Sequence, residues 1–415
     1  MARRLSIPER LNWREKVEQL GFPYHTSELE DGTLDRYWTD AGYYRFSLRE
    51  INRIEAAAQK LHEMCMDALG NVLTARPHLL ERLGYSREFL ARAKADWDND
   101  APGLSGRFDF ALRRGSIQDG NPAQFFPVML EYNAETPTSL LEAAVVQWQW
   151  LQDSFPQDDQ FNSIHEQLVE TWKYFKAETG EANPTVHFAF SELSVEDEGN
   201  VRYLADTAKQ GGFEPVLLAM SDLSLGELEN GQTVFCDPSG QPIGRLFKLY
   251  PWEWMHREDF FADFLKSPLT IFEPTWRALL ASKALLPVLS ELFPDSPYLL
   301  KAWFTEEEAQ RSGLPYVQKP ILGREGAGVS FYNAGGQMVH DGSRDTLERP
   351  DVGFIYQEQA QLLEGVQDDG TPMYAVMGAW VIGETACGMG IREDQSTVTG
   401  NLSRFVPHMF ANDKS

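Results

Sequence analysis

Glu131, Asn133 and Glu135 put a carboxylate, an amide and a second carboxylate into the stretch LEYNAETPTS before Pro137 interrupts it. Side chains alternate along a strand, so Glu131 and Asn133 face one way and Leu130 and Tyr132 the other. Upstream, RFDF sets Arg107 and Asp109 on one face around Phe108. The two segments flank RRGSIQDGNPAQFF, a connection containing Gly, Asn and Pro, which predicts an antiparallel hairpin. If the two polar faces coincide, three oxygen donors and a guanidinium converge. Mg²⁺ takes one or two carboxylates together with water and substrate phosphates, so Asp109, Glu131 and Asn133 fit a metal–phosphate site. The same alternation also describes the solvent face of a half-buried strand. Asp109 and Glu131 could equally form an acid–base pair of glycosidase type, although the arginine and the amide suit a metal–phosphate site better.

Beyond the hairpin the chain reads as a helix start. Thr136 is a candidate N-cap with Pro137 at the first helical position, and Ser139 to Glu142 is a competing capping box. A helix N-terminus there would favour anions beside the oxygen donors.

A second constellation is YVQKPILGREGAGVS, residues 316–330. Lys319 closes a short predicted strand, and Gly323, Gly326 and Gly328 follow in a loop. Glycines let backbone amides approach phosphate oxygens while a lysine supplies a compact charge. Neither GxxxxGK[ST] nor GxGxxG is present, and a glycine-rich hairpin turn fits the stretch equally well. A third lies near the end, where an apolar strand leads to Gln357, Glu358 and Gln359 and a later one to Arg392 and Asp394. The histidines show no metal-ligand spacing, and His62 with Glu63 reads as a surface or packing pair.

These residues sit in a chain of 415 residues, long enough for a core and more than one subdomain. A formal charge of −25 argues against nucleic acid and anionic membrane surfaces as partners. The first residues form no secretory signal, and no apolar run reaches transmembrane length. Three widely spaced cysteines suit a reducing cytoplasm. Ser47 and Glu50 form a capping box ahead of Ile51, Ile54, Ala58, Leu61, Cys65 and Leu69 at helical spacing. Helices are predicted over about 139–153 and 163–176. TVHFAF, a helix ending on glycine and EPVLLAM form a βαβ unit and so a small parallel sheet. RLFKLYP reads as a further strand, and a helix runs from Ser282 through KALLPVLSELF. The last hundred or so residues read as short strands separated by glycines. Trp148, Trp150, Trp252 and Trp254 are expected in the core.

The ordered motifs RFDF, EYNAETPTSLLEAA, LFKLYPWEWM, SKALLPVL, KPILGREGAGV, YQEQ and GIRED resemble those of the glutathionylspermidine synthetase family, in its stand-alone ligase-domain form. The resemblance implies an α+β or α/β chain of ATP-grasp type. It implies a mainly helical region over 1–180 carrying the hairpin, a pre-ATP-grasp βαβ subdomain over 181–275 and a nucleotide-binding region over 276–415. The implied activity is ATP-dependent joining of a carboxylate and an amine through an acyl phosphate. Asp109, Glu131 and Asn133 are then Mg²⁺ ligands, and Arg107 lies at the reacting carboxyl group and the nucleotide. Asp109 also faces the nucleotide. Lys283 and Lys319 hold ATP phosphates, the loop around Gly326 closes over them, and Gln357 and Thr397 contact the nucleotide. Arg392 faces the transferred phosphoryl group, and Thr136, Thr138 and Glu196 fall where the family binds its peptide or amine.

Two departures bear on substrate. ThrProThrSer replaces a serine-rich segment after EYNA, and Arg404 stands where polyamine-using members carry an acidic residue. The implied partners are therefore a small carboxylate, peptide- or glutathione-like, and an amine, in a cytoplasmic enzyme. An ATP-binding protein acting through partners without catalysis is the alternative, and a nucleotide-independent hydrolase using Asp109 and Glu131 is a third reading.

Overall fold

A computed structural model describes residues 2–28, 32–114, 125–342, 349–400 and 403–411. The expected hairpin is present. Ser105–Arg114 pairs antiparallel with Phe125–Asn133, and its connecting residues 115–124 lie outside the described residues. This hairpin joins a six-stranded sheet in the order Arg404–Val406, Thr385–Asp394, Pro372–Ile382, Ser105–Arg114, Phe125–Asn133, with Leu363–Val366 on the flank of Pro372–Ile382. Strands from the first and last thirds of the chain thus share one layer.

The helix Leu48–Thr74 lies across that sheet, packing on Phe125–Asn133, Pro372–Ile382 and Thr385–Asp394. Its capping box is reciprocal, with the Ser47 side chain accepting from the Glu50 amide and the Glu50 side chain accepting from the Ser47 amide. Each apolar position read from its periodicity is buried. Burying one such aliphatic side chain is worth about 1.5–3 kcal/mol, so this face supplies most of the helix's stability. His62 is buried on it with Nδ1 3.1 Å from the Tyr132 hydroxyl. Burial, then Arg277, push the His62 pKa down to about 4, which fits a neutral packing residue.

The βαβ unit is also present. Thr185–Phe190 and Glu214–Ala219 pair in parallel around the helix Val195–Gln210. Arg245–Leu249 and Thr270–Phe272 extend the sheet to four strands. A five-stranded sheet in the order Ala302–Trp303, Phe354–Glu358, Tyr316–Pro320, Ser330–Tyr332, Met338–His340 makes the third layer. The chain ends meet in a small sheet of Arg3–Ser6, Gly42–Phe46 and His408–Phe410.

The tryptophan expectation holds only in part. Trp150 and Trp252 are core residues, Trp148 is 40% exposed, and Trp254 lines a cavity. Among the described residues, no helix is long and apolar enough to cross a membrane.

Candidate active site

The hairpin register sets Asp109 opposite Glu131 and Arg107 opposite Asn133, so all four side chains share one face. The register then slips, and Phe110 pairs with Met129. This leaves Leu130 as the extra residue of a bulge, a device that re-aims the backbone beside a site. The freed Leu130 carbonyl accepts a hydrogen bond from Lys319 Nζ at 3.0 Å. Beside it, the Met129 carbonyl accepts from Gln357 Nε2 at 3.1 Å, and Lys319 Nζ donates to Gln357 Oε1 at 2.7 Å. Lys319 and Gln357 come from neighbouring strands of the five-stranded sheet, so the bulge is where the two sheets meet.

Arg107 lies flat along its sheet. Its Nε and Nη2 donate to the two Asp109 oxygens at 2.7 and 3.2 Å, and Nη1 donates to the Thr138 carbonyl at 2.7 Å. Gly378, opposite Asp109, permits this: a Cβ there would stand 2.7 Å from Arg107 Cδ. Burial works against the guanidinium charge, but Asp109 and Glu131 outweigh it and raise the Arg107 pKa.

Lys283 reaches the same face from the turn before the helix Leu285–Leu292. Its Nζ is 3.1 Å from Glu131 Oε2 and 2.9 Å from the Gly323 carbonyl. Burial pushes the Glu131 carboxyl up, yet Lys283 and then Lys319 hold it down at about 2. Burial brings Lys319 down to about 8 even with Glu131 pulling the other way. One carboxylate is thus balanced between two amines.

The glycine loop covers this cluster. Gly326 adopts φ 71°, and a Cβ on it would meet Val398 Cγ1 at 2.6 Å and the Thr399 carbonyl at 3.0 Å. The 326 and 397–400 segments therefore close on each other at van der Waals range. Arg392 holds the second segment from below, donating to the Ser403 and Gly400 carbonyls at 2.9 and 3.0 Å from Nη2. Arg324, which no spacing pattern marks between Gly323 and Gly326, donates to Thr136 Oγ1 at 2.6 Å and lies 6.0 Å from the Trp254 ring.

At the far end the helix start differs from both expectations. Thr136 is not an N-cap, and the helix begins at Leu140, running through a π-turn at Glu142–Val146. The Leu140 and Leu141 amides donate to Asn200 Oδ1 at 2.7 and 3.3 Å, so a side chain of the βαβ helix caps this terminus. Two of the amides expected to meet an anion are thereby consumed. Ser139 sits at φ 65° and its hydroxyl meets Tyr37 instead of capping, 3.0 Å away. Glu142 also accepts from Tyr37 and makes no capping box. Burial raises the carboxyl pKa of Glu196, and burial with Glu196 raises that of Asp197 to about 6.

The hairpin, the glycine loop and the start of the helical end together wall one cavity of about 650 Å³. Its wall includes Arg107, Asp109, Glu131 and Asn133 from the hairpin and Thr136, Thr138 and Glu196 from the helical end. Lys283, Lys319, Gly326, Gln357, Arg392 and Thr397 come from the last third. Arg404 does not line it; it opens on a separate cavity of about 330 Å³ beside Asp40 and Asp368, so its charge acts on this site only from a distance.

The described residues contain no cluster of three or more His, Cys, Asp or Glu arranged to hold a metal. Two carboxylates and an amide beside lysines instead match what Mg²⁺ accepts when phosphates complete its shell. The donor set therefore fits a phosphate-bound Mg²⁺ and does not fit a metal caged by protein alone. Chemically, the cavity can neutralise a polyanion at one end and hold polar, ionisable groups at the other.

Residues 4–411 match the family model described as glutathionylspermidine synthase preATP-grasp. A Haemophilus influenzae protein that carries the provisional name acid–amine ligase is 39% identical over 99% of this chain and all of its own. Trypanothione synthetase of Crithidia fasciculata is 29% identical over 94% of this chain, and the bifunctional glutathionylspermidine synthetase/amidase of Escherichia coli 25% identical over 88%. The chain spans only 59% and 58% of those two longer proteins. A solved glutathione synthetase-like effector of Globodera pallida superposes with a TM-score of 0.61 at 10% identity over 96% of both chains, which supports the expected ATP-grasp-type fold. The chain belongs to the glutathionylspermidine synthase family of acid–amine ligases.

Proposed function

We propose that the protein activates a small carboxylic acid with ATP as an acyl phosphate and transfers the acyl group to an amine, releasing ADP and phosphate. One observation carries this reading. Asp109, Glu131 and Asn133 share a cavity wall with Lys283, Lys319, Arg107 and Arg392, so oxygen donors for a metal and cations for a triphosphate line one space. Mg²⁺ bound by Asp109, Glu131 and Asn133 would screen the phosphate charge. Lys283 and Lys319 would hold the phosphates, Gln357 and Thr397 would contact the nucleotide, and the Gly326 loop would cover it.

Arg107 and Arg392 then face the reacting centre. The acid's carboxylate oxygen attacks the γ-phosphorus, and ADP leaves with the electron pair of the broken bond. Arg107, anchored by Asp109 and the Thr138 carbonyl, has its charge fixed in place before charge develops on the acyl oxygens. Thr136, Thr138 and Glu196 would receive the acid's peptide-like portion or the amine. A glutathione-like peptide is the first acid to try, since relatives of the chain are named for glutathionylspermidine and trypanothione synthesis. With Arg404 away from the cavity, a cationic polyamine remains a suitable acceptor.

The test is ADP release by the purified protein with Mg²⁺-ATP across a panel of acids and peptides paired with amines, beside Glu131→Ala. Turnover that requires one acid, one amine and Glu131 is the expected result. Tight Mg²⁺-dependent ATP binding without turnover on any pair would favour a non-catalytic binding role, and no ATP binding would overturn the reading.

A further inference from the structure

Glu142 is fully buried, yet its Oε2 has no hydrogen-bond partner among the described residues. A buried carboxyl oxygen left unpaired is costly, so its retention calls for an explanation. The other oxygen, Oε1, accepts from the Tyr37 hydroxyl at 2.9 Å. That hydroxyl lies 3.0 Å from Ser139 Oγ, and Ser139 is part of the cavity wall. Ser139 follows Thr138, whose carbonyl anchors Arg107. A continuous hydrogen-bonded path therefore runs from the cavity, beside the proposed reacting centre, to a carboxyl group sealed from solvent. The π-turn at Glu142–Val146 falls on its inner end, and such turns recur at functional positions.

We propose that Ser139, Tyr37 and Glu142 form a proton relay that removes the first proton from a bound primary ammonium and so generates the amine nucleophile. The inference rests on the ligase reading above. The ammonium gives a proton to Ser139 Oγ, the serine hydroxyl proton passes to the Tyr37 oxygen, and the tyrosine proton passes to the Glu142 carboxylate. The neutral amine then attacks the acyl carbon. The new C–N bond forms, the acyl C–O bond breaks with its electron pair going to phosphate, and the second amine proton leaves with that phosphate. Charge balances: an ammonium, a doubly charged acyl phosphate and a carboxylate become an amide, hydrogen phosphate and a carboxylic acid.

An ordinary carboxylate, with pKa about 4.3, is a poor acceptor for an ammonium proton held near pKa about 10. Burial, then the charge of Glu196, lift Glu142 to about 8, which narrows that gap. Tyr24, Tyr37, Glu196 and Arg392 are the charged or titratable groups that act on it; its own backbone amide, the Tyr37 hydrogen bond and then Arg392 pull the other way. Burial, then Glu142, push the phenols of Tyr24 and Tyr37 well up, so both stay protonated and Tyr37 passes protons without holding a charge.

The relay is tested with Mg²⁺-ATP and glutathione as the acid probe, using two nucleophiles in parallel. Spermidine arrives as an ammonium and needs the relay; hydroxylamine is unprotonated near neutral pH and traps acyl phosphate without it. Glu142→Gln keeps the Oε1 acceptor and the packing, and Tyr37→Phe breaks the path. Each should lower the ratio of amide to hydroxamate about 10²-fold, the lower range for general-base catalysis. Glu142→Gln should also abolish the rise in wild-type amide rate through about pH 8. An unchanged ratio with both variants would overturn the relay. No hydroxamate from wild type would instead count against the acyl-phosphate reading with this acid. Infrared titration of the free protein decides the matter without substrate. A protonated carboxyl band lost on raising pH through about 8 and missing from Glu142→Gln supports the relay; its absence from wild type overturns it.

Discussion

Lys283 Nζ stands 3.1 Å from Glu131 Oε2, pairing a proposed phosphate-binding lysine with a proposed metal-binding carboxylate across two layers of the fold. The pair has a pH signature. The folded-state pKa of Glu131, about 2, lies below the ordinary carboxylate value of about 4.3. Its ionised form therefore stabilises the fold fully above that value, and the contribution is lost as pH falls toward about 2. Glu131→Gln should flatten the acid limb of a stability-against-pH curve in that window, read by chemical denaturation. The same variant should raise the Mg²⁺ concentration needed for half-maximal ADP release.

Arg107→Ala should damage turnover more than folding. Removing one preorganised contact to a developing charge costs roughly 10²–10³ in rate, or about 3–4 kcal/mol. Steady-state ADP release beside a denaturant melt separates the two effects. Full turnover in the variant would remove Arg107 from the reacting centre.

Gly326→Ala should open the cover of the cavity. Its positive φ and the 2.6 Å approach to Val398 Cγ1 leave no room for a methyl group without shifting the 397–400 segment. We expect nucleotide affinity to fall about tenfold, equivalent to 1.4 kcal/mol, by calorimetric titration with Mg²⁺-ATP. Unaltered affinity would show that the two segments do not need to touch for nucleotide to bind.

Lys248 is a buried cation behind the loop that follows Asn133. It is fully buried, donates to Glu135 Oε1 at 3.0 Å and the Tyr250 carbonyl at 2.8 Å, and lies 4.1 Å from the Trp252 ring centroid. Glu135 Oε1 also accepts from the Trp252 amide at 2.9 Å, so the pair fastens the loop after Asn133 to the parallel sheet. Lys248→Met alone leaves the buried Glu135 carboxylate without its cation and should cost about 3–5 kcal/mol, whereas adding Glu135→Gln should recover much of it. A double-mutant cycle on unfolding free energy measures the coupling.

Local periodicity in the amino-acid sequence was enough to place the hairpin, the reciprocal cap at Ser47 and Glu50, and the βαβ unit. Each depends on neighbours two to four residues apart, where strand alternation and helical turns act. Side-chain chemistry likewise marked Asp109, Glu131 and Asn133 as a set, because a hairpin register carries both strands' faces with it. Only the tertiary structure decided that Pro372–Ile382 joins that hairpin with Gly378 beneath Arg107, that Lys283 meets Glu131, and that Leu130 bulges toward Lys319. The same holds for Asn200 capping the helix at Leu140, which overturned the Thr136 and Ser139 caps, and for the burial of Glu142. These partners lie far apart in the chain, and a one-dimensional pattern carries no record of which layers stack. Sheet order and packing choose them, because each polar group taken out of water must find its partner wherever the fold brings one.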